Sequence, residues 1–181
     1  IAPSLVGSEM CIRDSSSTTS RAVIQHDLTA DSNIYASLSE GFKAGGYATY
    51  ECTEPYDPEE VTSLEVGFKG SLGDNTSLNA SLFRYDYTDF QVLQVVGIQT
   101  VTRNAGDATV NGLELEALTN VSDSLTLNYG VTLLDATYGE FLNTNGLEPQ
   151  LGEQQLEGNY LSNAPKVSVN LGLNYTCLLY T

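Results

Sequence analysis

The stretch KVSVNLGLNY, Lys166 to Tyr175, decides how the chain is to be read. Val167, Val169, Leu171, Leu173 and Tyr175 alternate with Lys166, Ser168, Asn170, Gly172 and Asn174, a period of two. Successive side chains of a strand point to opposite faces, so this stretch predicts a strand with one apolar and one polar face. Leu125, Leu127, Tyr129, Val131 and Leu133 alternate in the same way with Ser124, Thr126, Asn128, Gly130 and Thr132. Shorter copies stand at Leu64, Val66 and Phe68 and at Ile34, Ala36 and Leu38. From Thr76 the apolar parity changes, Leu78, Ala80 and Leu82 giving way to Phe83, Tyr85 and Tyr87, which a β-bulge would explain.

Helical periodicity is absent, and the pattern predicts seven strands at about 21–28, 33–42, 60–71, 76–96, 99–119, 124–138 and 165–176. Short turns (LTAD, LGDN, NVSD) alternate with the long stretches Lys43 to Glu59 and Gly139 to Ala164 and with a tight reversal at Gly97. Short turns at one end and longer loops at the other are the habit of an outer-membrane barrel, its turns towards the periplasm and its loops outside. A β-sandwich also alternates, but its strands run about 5–6 residues, whereas a tilted membrane strand needs about 9–11. The polar face carries Ser, Thr, Asn and Gly with Glu65, Lys69, Glu114 and Glu116, a composition suited to a wet lumen. Phe42, Tyr85, Tyr87, Phe90, Tyr138 and Phe141 gather near the loop-side strand ends, where an interfacial aromatic girdle is expected. The fold class that follows is all-β, an antiparallel transmembrane β-barrel fragment.

Composition narrows the function. The chain is 41% hydrophobic without a run of about 18 apolar residues, so a membrane would be crossed by strands. With 7 basic and 23 acidic residues the net charge is −16, which repels phosphate backbones and argues against nucleic acid as a partner. Cys11, Cys52 and Cys177 form no C-x-x-C pair. The opening IAPSLVGSEMCIRDS and the closing TCLLYT resemble translated sequencing-adaptor read-through. Residues 1–14 and 177–181 are therefore set aside as non-native, leaving 15–176 as one partial barrel domain.

Three blocks follow in order: SEGFKAGGY at Ser39 to Tyr47, PEEVTSLEVGFKG at Pro58 to Gly70, and NASLFRYDYTDFQ followed by NAGDATVNGLELEA. In that order they resemble the C-terminal barrel region of TonB-dependent receptors. The resemblance implies about seven strands of a 22-stranded barrel in the outer membrane, filled by a plug. It implies active uptake of a scarce ligand of the siderophore, cobalamin or glycan class, energised through TonB acting on the plug. The partners implied are the plug and remaining strands of the same chain, TonB, outer-membrane lipid and a small ligand. A passive porin and a non-transport adhesin are the alternatives.

Glu65, Glu114 and Glu116 alternate with Leu64, Val66, Leu113 and Leu115 and should point into the lumen, where basic plug residues could meet them. Gly45 and Gly46 sit where a strand leaves for a long loop, a place for positive φ. Candidate ligand-binding residues lie in the outer loops: Tyr47, Tyr50, Tyr56, Glu140, Phe141 and Tyr160. The stretch from Gly139 to Ala164 carries Glu140, Glu148, Glu153 and Glu157 without Lys or Arg, and is expected to be a mobile acidic flap anchored by residues such as Phe141 and Leu156. Its acids disfavour anionic ligands and suit a neutral glycan, a cobalamin-like ligand or a cation-bearing chelate. No G-x-S-x-G, phosphate loop, H-E-x-x-H or EF-hand is found, so neither an enzyme activity nor a cofactor nor a metal site is assigned. His26, the single histidine, is read as a lumen or interface side chain, and Asn75 and Asn120 as turn residues.

Overall fold

A computed structural model describes residues 13–48, 54–96, 99–144 and 148–177. Its strands are β1 (Arg21–Thr29), β2 (Ser32–Lys43), β3 (Gly46–Tyr47), β4 (Pro55–Tyr56), β5 (Glu59–Leu72), β6 (Thr76–Thr88) and β7 (Gln91–Val96). They continue with β8 (Gln99–Asn104), β9 (Ala108–Ser122), β10 (Leu125–Tyr138), β11 (Leu142–Thr144), β12 (Glu153–Gln155) and β13 (Val167–Tyr175). Seven of them form one antiparallel sheet in the order β1-β2-β5-β6-β9-β10-β13, and three small hairpins, β3–β4, β7–β8 and β11–β12, stand apart from it. The sheet is an open segment of wall, with β1 and β13 at its edges.

Register turns the period of two into continuous rows. Ala36, Val66, Leu82, Leu113, Leu133 and Val167 are cross-strand neighbours in turn, as are Ile34, Phe68, Ala80, Leu115, Val131 and Val169. Residues directly opposite share a face, so these rows make one side of the sheet apolar. The intervening rows are polar: Tyr35, Gly67, Ser81, Glu114 and Thr132 form one, and Asn33, Lys69, Asn79, Glu116 and Gly130 the next. Nine residues of β13 extend about 27 Å, or roughly 20 Å across a membrane at a 45° tilt, close to the ~25 Å apolar band of such barrels.

The apolar belt has a definite edge towards the loop end. It lies beyond Leu38 and Leu64 on β2 and β5, where Glu40 and Thr62 follow. On β6, β9 and β10 it lies beyond Leu82, Leu113 and Leu133, where Arg84, Asn111 and Asp135 follow. Leu64 pairs with Arg84, so the edge steps by one pair between β5 and β6, as staggered, tilted strands require. Past the edge Arg84 and Asp86, two residues apart on this face, form an exposed ion pair at 2.8 Å.

Turns of two or three residues join β1 to β2, β5 to β6 and β9 to β10 at one end; all three long connections lie at the other. Two long expected strands divide. The stretch 76–96 becomes β6 and β7, interrupted at Asp89, whose φ is 53°, and 99–119 becomes β8 and β9, interrupted between Asn104 and Ala108. The inner parts pair directly as β6 with β9, while β7 and β8 pair only with each other. Gly97 lies outside the described residues. No bulge accompanies the parity change in β6, whose pairing with β5 and β9 runs without a register shift. Phe83, Tyr85 and Tyr87 instead stand on the polar face, Phe83 directly opposite Glu65 and Tyr87 directly opposite Ala108. The aromatic girdle is corrected accordingly: Tyr85, Tyr87 and Tyr138 face the polar side.

Little of the sheet is buried by the chain itself: Leu171 is 74% exposed and Ile24 72%. Among the described residues the buried apolar side chains are Val101, Ala105, Ala108, Ala117, Ala136 and Phe141, all but Ala117 at the loop end. A small separate core thus sits there. Ala108 pairs with Tyr87 on one side and Tyr138 on the other, and the Phe90 ring reaches both, with centroids 5.3 and 6.3 Å away. The small Ala108 side chain leaves the space that Phe90 occupies. Phe141 extends the run, 5.2 Å from Tyr138.

Candidate functional site

The polar face brings Glu65, Lys69, Glu114 and Glu116 to one depression of about 210 Å³, which Tyr35 and Tyr85 also line. The pairing dictates this, since Glu65 lies opposite Phe83, Glu114 opposite Ser81 and Glu116 opposite Asn79. The Tyr35 hydroxyl donates to Glu65 Oε1 at 2.5 Å, and Lys69 Nζ stands 5.2 Å from the Tyr35 ring centre. Three carboxylates, one ammonium and two phenols therefore share one polar face. Such a set favours cationic or hydrogen-bond-donating groups over anions. Tyr35 was legible from its parity with Ser37 and Ser39, whereas Tyr85 was missed because its aromatic ring suggested an interface position.

The loop candidates fall on three connections. Tyr47 lies in β3 opposite Pro55, and Tyr56 in β4 opposite Gly46. Tyr50 and Cys52 lie outside the described residues. Gly45 and Gly46 do not take positive φ, which the described glycines show only at Gly73, Gly152 and Gly158. Their lack of a side chain serves close approach instead: a Cβ at Gly46 would lie 2.6 Å from the Tyr56 hydroxyl oxygen, and one at Gly45 2.5 Å from the Tyr56 carbonyl oxygen.

Beyond β10, Glu140 is exposed while Phe141 is buried against Tyr138, an anchor rather than an open contact surface. Tyr160 is 50% exposed, bridges to Thr137, and has Lys166 Nζ 3.5 Å from its ring centre. The expected flap is folded: β11 pairs with β12, and Tyr138, Gly158 and Leu161 form backbone hydrogen bonds that tie it to β10. Its four glutamates are all exposed, so water screens their repulsion and the apolar anchors decide. His26 pairs with Ile34 and so shares the parity of the apolar face, near the turn end. Two wider grooves, of about 550 and 650 Å³, lie among Leu64, Val66, Leu82 and Leu113 and their neighbours on that face.

The chain matches the TonB dependent receptor-like β-barrel family over residues 8–179. It belongs to that family, a family of outer-membrane β-barrel receptors. It is 30% identical over 174 residues to the probable TonB-dependent siderophore receptor PiuA of Acinetobacter baumannii, an alignment covering 88% of this chain and 22% of that protein. Over 95 residues it is 34% identical to the pesticin receptor of Yersinia enterocolitica, covering 50% of this chain and 14% of the other. The crystal structure of the ferric yersiniabactin uptake receptor FyuA from Yersinia pestis superposes with a TM-score of 0.66 at 21% identity, over 86% of this chain and 22% of that one. The chain therefore spans about a fifth or less of the relatives it matches.

Proposed function

We propose that this chain is part of the wall and loop end of an outer-membrane receptor that takes up a scarce ligand of the siderophore class. The apolar face meets lipid, and the polar face lines a lumen that holds a plug from the same protein, through which TonB supplies energy. No catalytic step is assigned to any residue. The observation that carries the reading is the two-faced sheet whose loop end is closed by its own folded core, in a chain alignable over 88% of its length with a siderophore receptor. Glu65, Glu114 and Glu116 are the groups that would receive basic plug side chains, and the loop end is where ligand would first be met. The turns at Gly73 to Asn75 would face the periplasm and Glu153 the exterior.

A passive porin shares the wall but needs no energised plug. Deleting Asn143 to Gly158 in the full-length receptor is expected to leave assembly intact while weakening cell-surface binding of ferric yersiniabactin, the probe used. Uptake of its radiolabelled iron should also stop when TonB is absent. Uptake that persists without TonB would show a passive pore, and unchanged affinity in the deletion would remove this loop from ligand capture.

A further inference from the structure

The three long connections are joined, and the hairpin β7–β8 is what joins them. Asn104, the last residue of β8, accepts from the Asp57 backbone N–H through Oδ1 at 2.7 Å. Its Nδ2 donates to the Asp57 carbonyl at 3.0 Å and to the Asp89 carbonyl at 2.7 Å. Gln91, paired with Asn104 across the hairpin, donates from Nε2 to the carbonyls of Ala44 and Asp57 at 3.0 and 3.1 Å. Its backbone N–H donates to Glu59 Oε2 at 2.7 Å. On the other side Gln94 hydrogen-bonds Asn143, and the Gly139 N–H donates to the Asp107 carbonyl at 2.7 Å.

We infer that Asn104 is a positioning residue that fixes the loop between β2 and β5 to the β7–β8 hairpin, and through it to the loop after β10. The inference rests on the reading that the loop end captures ligand. Asp57 lies between β4 and β5, outside any named strand, so neither its N–H nor its C=O has a ladder partner. A carboxamide offers one acceptor and two donors in a single plane. It can therefore pair both backbone groups of Asp57, as a neighbouring strand residue would, and still reach Asp89. Aspartate would keep the acceptor but lose both donors and set a charge against two carbonyl oxygens. Alanine would lose all three bonds. The neighbouring Arg103–Glu54 pair, at 3.2 Å and half-exposed, is too weakly coupled to replace them.

The test uses the full-length receptor with its own cysteines replaced by serine and spin labels on introduced cysteines. Label pairs at Ala48 and Glu153 report the distance between the two outer connections, and a pair at Thr100 and Asn75 reports the hairpin against the turn end. Asn104→Ala is expected to replace the single narrow Ala48–Glu153 distance peak with a broad distribution while the Thr100–Asn75 peak stays narrow. Asn104→Asp should do the same, and it decides the matter if the alanine variant fails to assemble. A role confined to closing the hairpin would broaden the Thr100–Asn75 pair and leave Ala48–Glu153 unchanged, overturning the inference. Narrow peaks in both pairs would overturn it as well. Broadening of Ala48–Glu153 with unaltered iron uptake would uphold the positioning role and count against ligand capture at this end, so the two failures are separable.

Discussion

The Tyr35 hydroxyl reaches Glu65 diagonally across the β2–β5 pair, because the residue directly opposite Tyr35 is Gly67 and the ring lies over it. A Cβ at Gly67 would lie 2.6 Å from ring atoms, so the glycine, the ring and the carboxylate form one arrangement. The cycle of Tyr35→Phe and Glu65→Gln, measured by chemical unfolding of the full-length receptor in micelles, should give a coupling of about 1 kcal/mol. Partial exposure of both groups keeps it below the range for buried charged hydrogen bonds. Strictly additive single effects would show that the bond contributes nothing.

The belt edge predicts a depth-dependent cost for charge. Arginine at Leu171, in the middle of the apolar rows, should destabilise the folded barrel by about 2–4 kcal/mol, whereas arginine at Asp135, beyond the edge, should cost about 0–1 kcal/mol. Folding free energies in lipid vesicles compare the two variants. Equal costs would mean that the apolar face does not meet hydrocarbon.

Ala108 is 1% exposed beneath the ring of Phe90. Ala108→Leu should overpack this point and lower stability by about 1–3 kcal/mol. The check is the unfolding midpoint of the assembled receptor; an unchanged midpoint would show that the loop-end core can yield.

Expressed alone, the seven-stranded wall should aggregate without detergent, because β1 and β13 each pair on one side only and the apolar rows stay exposed. Light scattering and size-exclusion chromatography read the outcome. A soluble monomer that unfolds cooperatively would contradict the membrane reading.

The strands of the main sheet and their two faces were legible because one residue of slip would have turned Val131 and Val169 to the polar side, whereas the pairing register stands only in the structure. The same alternation sets Glu65, Lys69, Glu114 and Glu116 on one face of the sheet, as their pairing does. The division at Asp89 was not legible, because β6 and β7 share the same side-chain chemistry and the break depends on one backbone torsion. Tyr85 and Tyr138 were misassigned because residue type was weighed above parity. The Asn104–Asp57 link joins residues 47 positions apart through a single side chain, which no local pattern encodes.

Connection length also sets an order of assembly. Two- and three-residue turns let β1–β2, β5–β6 and β9–β10 zip from adjacent chain, and isolated hairpins form in about 1–10 μs. The ring cluster of Tyr87, Phe90, Tyr138 and Phe141 draws on both flanks of β9 and can close only after those hairpins have joined laterally. We expect its contacts to form late in assembly, after the rate-limiting barrier. Damage there should quicken the loss of assembled barrel while leaving the rate of its formation almost untouched.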